Sequence, residues 1–289
     1  MNVAVKPEAD RTMACPACGR STNHRFLYSK NGCDILQCVE CHLGRTQASD
    51  FDPGAYYTDS YFSGGHPDGY ANYLGAESVL RREFAREVAF IRSYRASGRL
   101  IEIGCAYGFF LQEAKRYFSV AGIEFAEEAA AYCWDNSLDV RTGVADESTL
   151  AALGNAEVFV LLDVIEHLPD PYQTLSLCAR HLNPGGIIVL TTGDFASPLA
   201  RWSGPAWRLM TPPQHLWFFT PASFRAASTR LGLAVESLDH PWKIVPLSLI
   251  SFQLRRMFGI SPVKQSKTER MGLPVNLFDA MRVVLRKPS

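Results

Sequence analysis

From Arg99 onward, short apolar runs alternate with helical patterns, and this alternation restricts the chain to few folds. Leu100-Ile101-Glu102-Ile103 reads as a strand and Gly108 to Phe118 as a helix. Val120-Ala121-Gly122-Ile123 is a second strand, followed by a helix from Ala126 to Asn136. A weak strand near Val140, a helix from Glu147 to Leu153, a strand from Val158 to Leu162, a helix from Pro171 to Leu182 and a strand from Ile187 to Leu190 continue the series. Strands separated by helices predict an α/β fold: a Rossmann-like, mostly parallel sheet with helices on both faces. Thr220-Pro221 reads as a cap followed by proline at the first helical position, with Gly232 closing that helix. Leu233 to Leu238 and Ala280 to Leu285 read as further strands. A helical pattern from Asn72 to Tyr94 precedes the alternation.

The first strand runs into Gly104-Cys105-Ala106-Tyr107-Gly108. Glycines there let backbone pass close to a ligand, at the carboxyl end of a parallel strand, where such sheets bind ligands. A dinucleotide fingerprint needs three glycines, G-x-G-x-x-G, and this loop has only two. Glu102, two residues before Gly104, would repel a pyrophosphate but suits an ammonium. The loop therefore fits S-adenosylmethionine better than NAD. Glu124 ends the second strand about 20 residues on, where a carboxylate grips a ribose diol in this architecture. The alternative is a tight strand-helix turn with a surface Glu.

Cysteines cluster early. Cys15-Pro16-Ala17-Cys18 and Cys38-Val39-Glu40-Cys41 are two C-x2-C knuckles separated by 19 residues. Four thiolates at this spacing fit a structural zinc site, with Cys33 as a spare thiol. Cys38 to His42 also spells a haem-attachment motif, which needs an oxidising compartment. A redox thiol pair is the remaining reading. The N-terminus lacks an apolar signal core, and no stretch has the uncharged length of a transmembrane helix. The expectation is a soluble, cytoplasmic protein with reduced thiols. Lys+Arg and Asp+Glu balance at 29 each, so no net charge draws the chain to nucleic acid.

Taken as a set, Leu100 to Gly108, Gly122-Ile123-Glu124, Leu162 to Pro171 and Asn183-Pro184-Gly185-Gly186 resemble the motifs of class I S-adenosylmethionine-dependent methyltransferases. The resemblance covers about Tyr94 to the C-terminus. It implies a seven-stranded sheet whose last strand, Ala280 to Leu285, is antiparallel. It also implies that Glu102 and the loop residues Gly104, Cys105, Ala106 and Gly108 hold the methionine end. Glu124 would bind the ribose, Phe125 would line the adenine site, and Asp163 would lie near the methyl group. Family members often carry an acid after the third strand, beside the adenine amine, and here Ala145 or Asp146 takes that place.

The organisation expected is a zinc-ribbon-like module at 1–45, a connector and helical lid at 46–95, and a methyltransferase domain at 96–289. Insertions fall at about 194–220 and 241–275. The connector holds Tyr57 in a Tyr-rich run, suited to a pocket apolar on one side and polar at the tip. The first insertion holds His215 in a Trp-rich string. Methyl transfer is an in-line displacement that often needs a base, and His titrates near neutrality. His215 is the leading base candidate, with His167 and Tyr57 as further catalytic candidates. The second insertion, apolar and then basic, reads as a lid, a dimer surface or an interfacial membrane contact. A zinc ribbon ahead of such a domain resembles enzymes of sugar and surface-glycan pathways, where it supports the substrate side of the pocket. It also resembles some RNA methyltransferases. The module lacks a dense basic stripe with aromatics, so nucleic acid is disfavoured. The function expected is methyl transfer to a small-molecule or glycan-type acceptor, O-methylation favoured. An RNA methyltransferase and a non-catalytic S-adenosylmethionine-binding scaffold are the rivals. The acceptor, the oligomeric state and the role of Cys33 stay open.

Overall fold

The computed structural model describes residues 11–47, 72–248, 251 and 270–289. The Tyr-rich connector with Tyr57, and residues 249–250 and 252–269 of the second insertion, lie outside the described residues.

The cysteine module is an antiparallel meander of β1 (Arg11–Cys15), β2 (Arg20–Lys30), β3 (Cys33–Cys38) and β4 (Gly44–Gln47). Asn31-Gly32 joins β2 to β3 with both residues at positive φ, 51° and 77°. That two-residue turn matches the twist of the strands it joins. A fifth strand comes from far along the chain: β10 (Trp217–Phe218) pairs antiparallel with β4, Trp217 opposite Arg45 and Phe218 opposite Gly44. The sheet of the cysteine module is therefore completed by the first insertion of the larger domain.

Beyond the module the order is α1 (Glu77–Tyr94), β5 (Arg99–Ile103), α2 (Phe109–Ala114), β6 (Ser119–Glu124), α3 (Glu127–Asp135), β7 (Val140–Thr142), α4 (Glu147–Leu153), β8 (Ala156–Leu162), α5 (Pro171–His181) and β9 (Leu182–Gly193). Then come α6 (Pro198–Ser203), β10, α7 (Pro221–Arg230), β11 (Ala234–Asp239), β12 (Lys243–Pro246), β13 (Gly272–Val275) and β14 (Ala280–Arg286). Seven strands form one sheet in the order β11-β14-β9-β8-β5-β6-β7. β14 is antiparallel to both neighbours, and the pairings from β9 to β7 are parallel. The strand order reverses between β5 and β8. Crossovers leave in opposite directions there and open a crevice at the strands' carboxyl ends.

α1 starts at Glu77 rather than Asn72, because the Asn72 side chain accepts the Gly75 N–H (2.8 Å) and holds a turn. Its inner face buries Val79, Leu80, Val88 and Ile91 together with two acids, Glu83 and Glu87. Buried acids need partners. Glu87 receives Arg282 of β14 (3.0 and 3.1 Å), and Arg282 also reaches Asp239 of β11. The Arg282 guanidinium lies over the Phe90 ring. Glu83 accepts the Ile244 N–H of β12 (2.6 Å). These contacts bind the helix before the first core strand to the last strands of the sheet. Within the second insertion, β12 and β13 pair as a two-stranded ribbon.

Arg282→Met leaves Glu87, 4% exposed, without its cation. Breaking such a buried pair from one side costs about 3–5 kcal/mol. Chemical denaturation of the variant should show a loss of that size, against less than about 1 kcal/mol for Arg20→Met at an exposed pair.

Candidate active site

β5 delivers Glu102 and then the glycine loop. Gly104 and Gly108 both sit at φ 71°, where a side chain is strained. A Cβ at Gly104 would come within 2.6 Å of Val164, and one at Gly108 within 2.5 Å of Leu138. The loop is thereby pressed against the segment after β8. Glu102 is 3% exposed, and its Oε2 has no hydrogen bond among the described residues. Burial pushes its pKa well above the ordinary carboxylate range, with smaller contributions from Cys133 and Glu124. Cys105 and Ala106 form the floor of the loop. The Ala106 N–H donates to Glu124 Oε2 (2.7 Å), and the Ala126 N–H to Glu124 Oε1 (2.8 Å). Glu124 thus clamps the end of β6 to the loop. Phe125, next in sequence, is 46% exposed. Of the two residues considered for the acid after the third strand, Asp146 is committed to capping α4 through the Thr149 N–H (2.8 Å). Ala145 packs partly buried against the core.

The end of β8 carries a second group. Asp163 adopts φ 56°, a strained conformation for this residue. It accepts a hydrogen bond from the Thr191 hydroxyl (2.8 Å) and an ion pair from Lys243 (2.6 and 2.8 Å). Desolvation raises its pKa, but the Lys243 ammonium outweighs that and holds it below the ordinary value. Three residues on, Glu166 is buried, and its Oε2 has no hydrogen bond among the described residues. Desolvation, with Asp163 adding repulsion, pushes Glu166 up to about 8.

His167 and His215 face each other with ring centroids 4.7 Å apart. His167 Nδ1 lies 3.1 Å from the Gln214 carbonyl oxygen and His215 Nδ1 2.7 Å from that of Leu209. A carbonyl only accepts, so each Nδ1 carries the proton and each Nε2 the lone pair. Desolvation depresses His167 to about 4. Desolvation and then His167 depress His215 to about 3. One donor atom from each of Glu166, His167 and His215 lies within 4.8 Å of the others. His215 does not cap the helix after it: Thr220 and Ser223 form that capping box. Further along the same edge, Asp194 accepts from His240 (2.9 Å), and buried Asp279 accepts from Trp207 and Arg208 (2.9 Å each). The sequence reading passed over Glu166, though it adjoins His167. It also passed over Lys243, which carries no local signal because its partner is 80 residues away.

In the cysteine module, Cys15, Cys18, Cys38 and Cys41 bring their sulfurs within 4.8 Å of one another. Cys15 lies 3.5 Å from Cys41, and Cys18 3.9 Å from Cys38. A tetrahedral ion with metal–sulfur bonds of about 2.3 Å sets its ligands about 3.8 Å apart, so the four thiols fit one ion. Cys33 stands apart, buried beside the Asn31 carbonyl. Cys38 and Cys41 both turn into the cluster while His42 is exposed, which leaves nothing arranged for haem. The cluster is tied to the segment that carries His215. The Thr46 hydroxyl donates to the His215 carbonyl (2.6 Å), the Thr46 N–H to Leu216 (2.9 Å), and the Thr220 hydroxyl to the Cys41 carbonyl (3.0 Å).

A sheet in this order, with a glycine loop and two buried acids at its switch point, defines a class I S-adenosylmethionine-dependent methyltransferase. Residues 76–238 match the profile of a methyltransferase domain family, and the chain belongs to that family. The ubiquinone biosynthesis O-methyltransferase of Caulobacter vibrioides is 28% identical over 205 residues, covering 61% of this chain and 81% of that protein. The enzyme of that name from Thiobacillus denitrificans is 27% identical over 161 residues, covering 51% and 69%. Among solved structures, a SAM-dependent methyltransferase from Archaeoglobus fulgidus aligns with a TM-score of 0.51 at 16% identity, covering 73% of this chain and 94% of that one. A Haloferax volcanii complex of the Trm112 methyltransferase activator with a methyltransferase aligns with a TM-score of 0.51 at 14% identity, covering 83% and 100%. These structures share the fold. Among the described residues, no helix is long and apolar enough to cross a membrane.

The raised pKa of Glu166 has a signature in stability. The folded state holds a proton that the unfolded state releases above about 4.5, so this group's contribution falls as pH rises through that window to about 8. The stability difference between Glu166→Gln and wild type should therefore widen in the variant's favour over the same range. A difference independent of pH would show that Glu166 titrates normally.

Proposed function

We propose that this chain transfers the methyl group of S-adenosylmethionine to a hydroxyl of a small or glycan-type acceptor. We propose further that a zinc ion held by Cys15, Cys18, Cys38 and Cys41 is structural. The observation that carries the acceptor side is the His167–His215 pair, two neutral imidazoles with Nε2 lone pairs beside Asp163 and Glu166.

The cofactor supplies an electrophilic methyl on a sulfonium. The buried, unpartnered oxygen of Glu102 fits its ammonium. The missing side chains at Gly104 and Gly108 leave room for its methionine end along Cys105 and Ala106. Glu124 retains lone pairs on both oxygens and can accept from ribose hydroxyls while holding the loop. Phe125 and Ala145 would flank the adenine. His215 or His167 would take the proton from the acceptor hydroxyl through Nε2. Glu166, protonated at rest, lies within 4.8 Å of both rings, and burial keeps both imidazoles neutral until the acceptor's proton arrives. Tyr57, in the connector, is a further candidate for the acceptor wall.

The names of the relatives support hydroxyl acceptors. An RNA acceptor is disfavoured because several of the module's cations already have partners within the module. Arg20 pairs with Glu40, Arg25 binds Gln37, and Arg45 lies over Trp217. A four-thiolate set closes the coordination shell of zinc, which suits structure rather than chemistry.

Two measurements test this. Formation of S-adenosylhomocysteine should be seen with at least one acceptor from a panel of phenols, catechols and nucleotide sugars. His215→Asn should lower turnover on the order of 10²-fold with unchanged cofactor affinity. Cofactor binding without turnover on any member would favour a scaffold, and turnover on RNA alone the rival acceptor. Metal analysis should give about one zinc per chain, lost in the Cys15→Ser/Cys38→Ser double variant together with thermal stability. Metal-free wild type of full stability would remove the zinc.

A further inference from the structure

Lys243 belongs to no part of the reaction described so far, yet its ammonium sits at the carboxyl end of β8. It holds both oxygens of Asp163 at 2.6 and 2.8 Å. Asp163 borders the cofactor loop: Val164, its neighbour, is what a Cβ at Gly104 would strike. Its side chain remains 47% accessible and that of Lys243 26%, so the pair faces open space. The backbone around Lys243 is anchored, because the Ile244 N–H is held by Glu83 of α1 and β12 is paired with β13. Its four-carbon stem is the part free to move.

A charge conflict follows at this point. The cofactor carries a sulfonium, a fixed positive charge that the product S-adenosylhomocysteine lacks. Asp163 paired with Lys243 is electrically neutral and offers that charge little, whereas Asp163 alone offers a full counter-charge. We propose that Lys243 is a displaceable counter-ion of Asp163, yielding to the sulfonium when cofactor binds and returning when the methyl has left. Lys243 thereby tempers the hold that a bare Asp163 would have on the charged cofactor, and it neutralises Asp163 again once the uncharged product is formed. Lys243 in its paired position already acts electrostatically on Glu166, so its displacement is felt on the side where the acceptor hydroxyl loses its proton. Lys243 is a positioning residue here, acting through Asp163.

The inference rests on the cofactor site, not on the acceptor, and calorimetry of the full chain with S-adenosylmethionine and S-adenosylhomocysteine separately tests it. In Lys243→Met, S-adenosylmethionine should bind on the order of tenfold more tightly, with little change for S-adenosylhomocysteine. Lys243→Arg should behave as wild type, and Asp163→Asn should narrow the preference for the charged ligand. Lys243→Gln gives the same reading if the Met variant does not fold. Equal shifts for both ligands would make Lys243 a partner of the carboxylate that both share, and no shift would make it structural; either overturns the proposal. Wild type that binds neither ligand would instead sink the cofactor site itself.

Discussion

Carboxylates gathered at the carboxyl ends of parallel strands are the constraint around which this molecule is arranged. Glu102 ends β5, Glu124 ends β6, Asp163 follows β8, and Asp194 follows β9. Glu102, Glu124 and Asp194 are buried and costly to hold charged, Asp163 is more open, and each is handled differently. Glu102 keeps an oxygen without a hydrogen bond among the described residues, Glu124 takes two backbone N–H groups, Asp163 takes Lys243, and Asp194 takes His240. The parallel architecture directs all of them to one edge, because every strand from β7 to β9 points the same way. What differs from strand to strand is the partner, and under the proposed function the partners divide the edge into a cofactor side and an acceptor side.

The division continues through the packing. On the cofactor side, the loop donates to the Ile123 carbonyl of β6, and Val164 after β8 and Leu138 after α3 leave no room for a Cβ at Gly104 and Gly108. On the acceptor side, His215 is held by carbonyls and by the cysteine module rather than by its own helix. Its ring donates to Leu209 and its backbone accepts from Thr46 of β4. The four sulfurs belong to the same apolar cluster as Trp217, Phe219 and Phe224. A cysteine cluster remote in sequence is thus continuous in packing with the loop that carries the imidazole.

Much of the sheet was legible in the sequence because its signals are local. Apolar runs, caps and Thr220-Pro221 lie within a few residues of what they determine, and β5, β8, β11 and β14 fall close to where the pattern puts them. Glu102, Glu124 and the two knuckles were legible for the same reason. Lys243, Glu166 as a titrating group and the β4–β10 pairing were not. Each depends on a partner distant in the chain: Asp163 for Lys243, the closing of Thr192 and the histidines around Glu166, and Arg45 opposite Trp217. The expected α1 was too long at its start because Asn72 takes a neighbouring N–H for its side chain, a competition that hydrophobic spacing does not register.

The two residues of β10 have a consequence for how such a chain can change. A module joined only by a linker can be exchanged, lost or duplicated with little effect on its neighbour. Here the outermost strand of the module's sheet is supplied by the host domain, from the same loop that aims His215. The knuckles and the acceptor loop are therefore one heritable unit: a substitution that shifts the pairing of β4 also shifts the imidazole.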